Sequence, residues 1–297
     1  MRALHDVPRE VRDELSRHAS RLDVFGQCLH WLETTTSTNS VAARLADAGA
    51  IEGTTVVAEA QTSGRGRMGR SWFSPPGAGL YVSVVLRPRP PKAEVPVEPD
   101  GPPKLPAKAE GGHYVPDPAA LLTIAAGVAL AEGIQASTGL PAEIKWPNDL
   151  LVGKRKLAGI LAEAAAQGGA LAFVILGFGV NLRPAAYPLE LASRVTSIEA
   201  ELGRPADRAM ILAEILSALA SRYADLQQGR FDAILSAWRA RAPTLRGALV
   251  EWETPHGLQR GRAEDIDATG ALLVRPLGPP GGDGRFERLI AGEVRWT

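Results

Sequence analysis

The sequence has little that could tie it together covalently or hold a metal. Among 297 residues there is a single cysteine, Cys28, which excludes an intramolecular disulfide and a cysteine-based zinc cluster and suits a reducing compartment. Its five histidines are scattered, and none stands in a metal-binding motif. Net charge is missing too. The 33 Lys and Arg offset 33 Asp and Glu, so the broad positive field behind nonspecific nucleic-acid or membrane binding is not expected, and any anion site must be local. The first 19 residues are charged throughout where a signal peptide needs an apolar core. The most apolar helical stretch, residues 119–131, is too short to span a bilayer and is followed by Glu132. These absences point to a soluble, cytoplasmic protein of one large domain plus a small one.

What is present is an α+β order of elements. Residues 54–59 and 80–86 are β-branched, apolar and bounded by glycines, so they read as strands with a Gly/Arg-rich loop between them. Residues 88–118 hold eight prolines between Pro88 and Pro106 and read as an insertion within a domain, since the hydrophobic pattern resumes on both sides, with a domain boundary as the alternative. Asp117-Pro118 then opens a helix with Leu121, Ile124, Val128 and Ala131 at helical spacing, ending near Gly139. Four short apolar strands follow (143–146, 150–152, 157–162 and 171–178), close enough in sequence for an antiparallel or mixed sheet. Asp207 caps a second long helix, and Phe231, Ile234, Leu235 and Trp238 mark a third. From Arg246 short strands alternate with turns, as in a small barrel. The predicted organisation is an N-terminal extension (1–29), a central domain (30–245) and a C-terminal domain (246–297).

Four stretches carry chemistry. In the segment from Gln61 to Phe73, Arg65, Arg67 and Arg70 alternate with Gly64, Gly66 and Gly69. Glycines let backbone N–H groups approach an anion, and guanidiniums offer forked donors to carboxylate or phosphate oxygens. The three like charges should repel one another without an anion, so the loop is expected to be mobile and to order on binding. A solvated basic turn or an RGG-like nucleic-acid segment is the alternative, and the spacing is not that of a P-loop. In Lys145-Trp146-Pro147-Asn148-Asp149 the proline imposes a bend from which Asn148 and Asp149 are expected to point together into a cleft. Lys156 precedes an apolar strand that would hold its base rigidly; the alternative is an exposed hairpin turn. Gly177-Phe178-Gly179-Val180-Asn181 would let a ligand lie against the backbone, or simply be a tight strand exit. The hydroxyls of Thr36-Ser37-Thr38-Asn39 serve as helix caps or bind a polar heterocycle.

Taken in order, these stretches make the chain similar to the biotin–protein ligases. Thr36 to Asn39 resembles that family's STN segment, Gly64 to Arg70 its GRGRxGR loop, Lys145 to Asp149 its KWPND motif, Lys156 to Ile160 its KLAGI element, and Gly177 to Leu182 its GxGxN segment. The resemblance implies a class II synthetase-like catalytic domain, with a mixed or antiparallel sheet and flanking helices, followed by a small all-β SH3-like barrel. It also implies an ATP-dependent reaction through biotinyl-5′-adenylate, with Mg²⁺ accompanying ATP, and transfer to a lysine of the biotin carboxyl-carrier domain of a biotin-dependent carboxylase. By the match, Ser37, Thr38, Asn39, Gln61, Arg65, Gly66, Arg67, Trp72 and Lys156 line the biotin site. Arg67, Arg70, Trp72, Lys145, Asn148, Asp149 and Asn181 fall on the ATP side, and Lys156, Arg67 and Asp149 are the catalytic candidates, with no metal ligand.

Departures matter as well. Many bacterial relatives carry a DNA-binding helix-turn-helix domain, but about 35 residues precede Thr36, too few for one, so no DNA partner is expected. The Pro-rich insertion is foreign to the pattern, and the final Gly292-Glu293-Val294-Arg295-Trp296-Thr297 resembles the family's closing strand but stops early, which leaves open whether the barrel contacts ATP. A homodimer is compatible with the family. The rival readings are a lipoate or octanoate ligase, which would not be expected to show GRGRxGR with KWPND, and a noncatalytic nucleic-acid-binding module. Zero net charge and the lack of aromatics interleaved with the arginines count against the second.

Overall fold

A computed structural model describes residues 7–88, 118–168, 170–254, 257–277, 286–290 and 294–296. The body of the Pro-rich insertion, Asp117 and part of the last segment lie outside the described residues. In chain order the elements are α1 (Arg9–Arg17), α2 (Ala19–Leu22), a 3₁₀ turn (Asp23–Gly26), β1 (Leu29–Thr35), α3 (Thr38–Asp47), β2 (Thr55–Gln61), a 3₁₀ turn (Arg67–Gly69), β3 (Gly79–Leu86) and α4 (Pro118–Thr138). They continue with β4 (Glu143–Lys145), β5 (Asp149–Val152), β6 (Arg155–Gln167), β7 (Ala170–Asn181), α5 (Leu189–Ala192), α6 (Ile198–Leu202), α7 (Arg208–Gln227) and α8 (Phe231–Ala240). The last strands are β8 (Leu249–Thr254), β9 (Gly257–Ile266), β10 (Leu272–Pro276), β11 (Glu287–Leu289) and β12 (Val294–Trp296).

Seven strands form one sheet in the order β1-β2-β3-β7-β6-β5-β4. Only β1 and β2 run parallel; the other neighbours are antiparallel, so the sheet is mixed, as expected. Strand β3 is buried along its whole length because helices cover both faces. Val82 and Val84 belong to the large core with α4, α7 and α8, while Val85 packs with Ala42 and Ala46 of α3. This alternation is the period-2 consequence of a pleated strand, and it sends Ser83 to the α3 side.

Helix α4 is longer than its most apolar stretch suggested. Its window Ala120–Thr138 has the length and composition to cross a bilayer, yet 67% of it is buried inside the protein, which makes it the core helix. Asp207 caps α7 as predicted, its carboxylate accepting from Ala209 N at 2.9 Å and Met210 N at 3.1 Å. Residues 9–26 pack on α7: Val11, Leu15, Leu22 and Phe25 are buried, and Glu214 of α7 bonds His18 Nε2 at 3.0 Å and Arg21 at 2.8 Å. Arg208, at the start of α7, pairs with Glu59 of β2 and lies 4.6 Å from the Trp31 ring. That guanidinium holds the Glu59 carboxyl below its ordinary range.

The C-terminal strands form a separate antiparallel sheet, β11-β10-β9-β8-β12, which fits the SH3-like domain expected. Several contacts fasten it to the first unit, among them an ion pair of Arg239 on α8 with Asp265 at 2.8 Å. Trp146, buried between the two, donates from Nε1 to Gly270 O at 3.0 Å, and Gly270 sits against Ile124 of α4.

Helix α4 packs tightly on α7 at Gly133, where a Cβ would stand 2.5 Å from Ile215 Cα and 2.6 Å from Ile215 N. Backbone does not swing aside, so Gly133→Ala should cost about 2 kcal/mol, read as a lower denaturant midpoint. An unchanged midpoint would show that the two helices separate freely.

Candidate active site

One register row across the sheet organises the site. Tyr81 of β3 pairs with Gly179 of β7, Gly179 with Gly159 of β6, Gly159 with Asp149 of β5, and Asp149 with Lys145 of β4. Residues in one row of a sheet share a face. The two glycines in the middle leave a slot, and the indole of Trp72 fills it: a Cβ on Gly179 would lie 2.4 Å from Trp72 Nε1, and one on Gly159 would lie 2.9 Å from Trp72 Cζ3. The Gly177–Gly179 segment therefore does admit a group against the backbone, but the groups found there are the protein's own. At Gly177 a Cβ would meet Asn39 Oδ1 at 2.0 Å.

Lys156 reaches this face through an irregularity. The ladder between β5 and β6 slips by one residue between Leu150 and Leu151, so Leu151 faces Lys156. Leu157 and Ala158 are both buried in the core. A bulge of this kind re-aims the residue before it. Lys156 Nζ lies 2.7 Å from Asp149 Oδ1 and 5.2 Å from the Trp72 ring centroid.

The other wall is a hydrogen-bonded niche at the start of α3. Ser37, Thr38 and Asn39 are buried there. The capping expected of the hydroxyls is not what holds the helix end: Ser37 occupies the N-cap without a side-chain bond, and Gln61 Oε1 instead accepts from Thr38 N at 2.8 Å. Ser83 Oγ contacts Thr38 Oγ1 at 2.8 Å and Asn39 Oδ1 at 2.5 Å. Asn39 Nδ2 donates to Glu163 Oε2 at 2.6 Å, and Arg65 Nη2 donates to the same oxygen at 2.7 Å. Gln61 Nε2 donates to Ser74 Oγ at 2.9 Å, which joins the niche to the segment after Trp72.

The arginine loop folds back on itself. Met68 and Gly69 adopt left-handed backbone, with φ of 55° and 71°, and Gly66 N donates to Arg70 O at 2.7 Å. Repulsion among the three arginines, expected from the sequence, is relieved only at Arg65, which is paired with Glu163, while Arg67 turns toward Asn148 Oδ1 at 3.5 Å and still feels Arg70. Burial pushes the Arg67 guanidinium down, Asp149 opposes this, and Arg70 adds to it. Lys145 is likewise pushed down, by burial first, with Asp149 raising it and Lys156 and Arg194 lowering it. Arg67, Lys145 and Lys156 thus converge around one carboxylate, Asp149.

Two candidates are committed differently from the expectation. Asn148 presents only its Oδ1 to the cleft, toward Arg67; its Nδ2 donates to Ile160 O at 2.8 Å, fixing the bend after Pro147 to β6. Asn181 Nδ2 donates to Thr196 O at 2.9 Å and to Lys156 O at 3.4 Å. It ties residues 194–196 to the backbone of Lys156, which itself bonds Arg194 O at 2.8 Å. Sequence reasoning missed Ser83, Glu163 and Arg194. Ser83 had a signal, as the one serine in a strand of apolar and aromatic residues, and so had Glu163, a single acid in an alanine run.

The fold and a cationic cleft beside a polar niche define a group-transfer enzyme that handles an anionic substrate. A family model described as "Biotin/lipoate A/B protein ligase family" matches residues 31–97 and 106–181. The chain is 34% identical over 269 residues to the bifunctional ligase/repressor BirA of Bacillus subtilis, covering 90% of this chain and 75% of that one. It is 35% identical over 275 residues to the biotin–[acetyl-CoA-carboxylase] ligase of Mycobacterium tuberculosis, covering 90% and 88%. A solved biotin protein ligase from Aquifex aeolicus, in complex with biotin and ATP, shares the fold at a TM-score of 0.70 and 23% identity, over 91% of this chain and 99% of that one. The chain belongs to the biotin–protein ligase family.

Because Gly179 has room for nothing but the Trp72 indole, Gly179→Ala should evict it and loosen the loop that carries it. Cleavage by trypsin at Arg65, Arg67 or Arg70 should then speed up several-fold in limited proteolysis. Unchanged cleavage would mean that the indole does not anchor the loop.

Proposed function

We propose that this chain joins biotin and ATP into biotinyl-5′-adenylate and passes the biotinyl group to a lysine of the biotin carboxyl-carrier domain of a carboxylase. The observation that carries this reading is the convergence of Arg67, Lys145 and Lys156 on Asp149 directly beside the niche of Ser37, Thr38, Asn39 and Gln61. In the first step a biotin carboxylate oxygen attacks the α-phosphorus and pyrophosphate leaves. Both partners are anionic, so the step needs cations that screen the approach and stabilise charge on the phosphoryl oxygens. Arg67 and Lys156 take that part, with Arg70 and Lys145 toward the leaving pyrophosphate.

Ser37, Thr38, Asn39 and Gln61 suit the ureido ring of biotin, since each brings a hydroxyl or amide with mixed donor and acceptor capacity. Arg65 and Gly66 close that side, and Trp72 supplies an apolar wall for the valeryl chain. Asn148 and Asn181 act on the nucleotide side by holding the backbone around Lys156 and Asp149. Mg²⁺ enters as part of the nucleotide substrate; among the described residues no group of three or more His, Cys, Asp or Glu converges to hold it.

In the second step the carrier lysine's amine attacks the acyl carbon and AMP leaves. Asp149 would take the amine's proton once Lys156 has turned to the phosphate. Residues 30–245 would carry this chemistry, and a cytoplasmic site of action fits the substrates.

Biotin-dependent exchange of labelled pyrophosphate into ATP tests the first step, with lipoate and no acid as controls. Lys156→Ala and Arg67→Ala should each lower the exchange rate by about 10²-fold or more, the scale for removing one group that stabilises developing charge. Wild-type exchange in both would take them out of the chemistry. For Asp149→Asn, transfer from preformed biotinyl-adenylate to a carrier domain should fall about 10²-fold, the loss of a general base. Near-normal transfer would leave Asp149 with only its ion pair to Lys156.

A further inference from the structure

Lys145 is held from a direction that the central sheet does not supply. It ends β4, an edge strand of three residues, and its ammonium lies 5.7 Å from the ring centroid of Trp296 on β12. Trp296 is itself seated by the second sheet, pairing with Val250 of β8 while Val294 pairs with Trp252. The neighbour on the same strand, Arg295, is 61% exposed and reaches Glu253 at 3.8 Å, so the strand turns alternate residues to solvent and to Lys145. The adjoining residue of the motif, Trp146, is bonded to Gly270 of the same sheet. The C-terminal sheet therefore grips two consecutive residues of the Lys145–Asp149 segment, one by its ammonium and one by its indole.

A lysine at the end of a short edge strand has many rotamers open to it, and fixing it against an aromatic face both limits them and attracts the charge. We propose that Trp296 is a positioning residue for the nucleotide: the second sheet completes the site by holding Lys145 beside Asp149, ready for the phosphates. The proposal rests on the adenylating function set out above. It makes the C-terminal sheet part of the first half-reaction and gives it no role in biotin recognition.

The test uses the full chain with pyrophosphate exchange, varying ATP and biotin separately. Trp296→Leu keeps apolar bulk on β12 and removes the π face, whereas Trp296→Phe keeps a face. With the leucine variant the KM for ATP should rise about fivefold to tenfold, the span of a partly desolvated cation–π contact. The KM for biotin and the transfer rate from preformed adenylate should stay at wild-type values, and Trp296→Phe should restore most of the ATP affinity. In a Lys145→Ala background, Trp296→Leu should add nothing further. Arg295→Ala, on the opposite side of β12, should leave all these values unchanged. An unaltered ATP KM in Trp296→Leu, or an equal loss with and without Lys145, would overturn the proposal. Absence of biotin-dependent exchange in the wild type would instead refute the function on which it rests.

Discussion

Everything at this site depends on the absence of side chains from Gly159 and Gly179 where they face each other across β6 and β7. A methyl group on either would meet Trp72 at under 3 Å, and the indole could not lie on the sheet. With the indole in place, the arginine loop is fastened at its far end, through Trp72 N to Gly64 O at 2.8 Å, and Lys156 has a ring to lie over. The same register row then delivers Asp149 and Lys145 beside the ring without further adjustment. A flat sheet of ordinary residues would present a surface at this point; two missing Cβ atoms turn it into a seat.

Much of this was legible in the sequence because the residues involved are of kinds that rarely serve elsewhere. Arginines alternating with glycines, a proline-bent Lys-Trp-Pro-Asn-Asp and twin glycines at a strand end each have a restricted set of physical uses, and the order of strands and long helices followed from apolar periodicity alone. The register did not. Whether Gly179 meets Gly159 or its neighbour is decided by packing over the whole sheet, and a slip of one residue would have sent the glycines to opposite faces. Lys156 shows the limit most sharply. Strict alternation along β6 puts residue 156 on the face of Ala158, in the core, and a bulge visible only in three dimensions brings it to Asp149.

Other losses of legibility have the same origin. Residues 9–26 read as a charged extension because their apolar members, Val11, Leu15, Leu22 and Phe25, are few, yet these are the ones that meet α7. The helix start at Thr38 invited a reading of hydroxyl caps, since local sequence holds no hint that Gln61, 23 residues away, would supply the acceptor. Asn148 and Asn181 looked like ligand groups because amides suit ribose and purine edges; the fold commits their nitrogens to backbone carbonyls. Polar residues in a motif divide between those that touch a substrate and those that hold the first kind still, and sequence alone does not separate them.

The charge arrangement explains how such a site tolerates its own cations. Arg65 and Glu163 are 43% and 37% exposed, so that pair is worth at most about 1 kcal/mol in water-screened surroundings, and Lys156 and Asp149, 31% and 26% exposed, are partly screened. Screened pairs are easily exchanged. In the proposed reaction an arriving polyphosphate would take Lys156 from Asp149 and free the carboxylate in the same movement. Arg67 and Lys145 differ, because burial already disfavours their charges, and an anion placed between them would relieve that penalty. In the proposed reaction the screened pairs would supply the groups that move, and the half-buried cations the fixed attraction for the nucleotide.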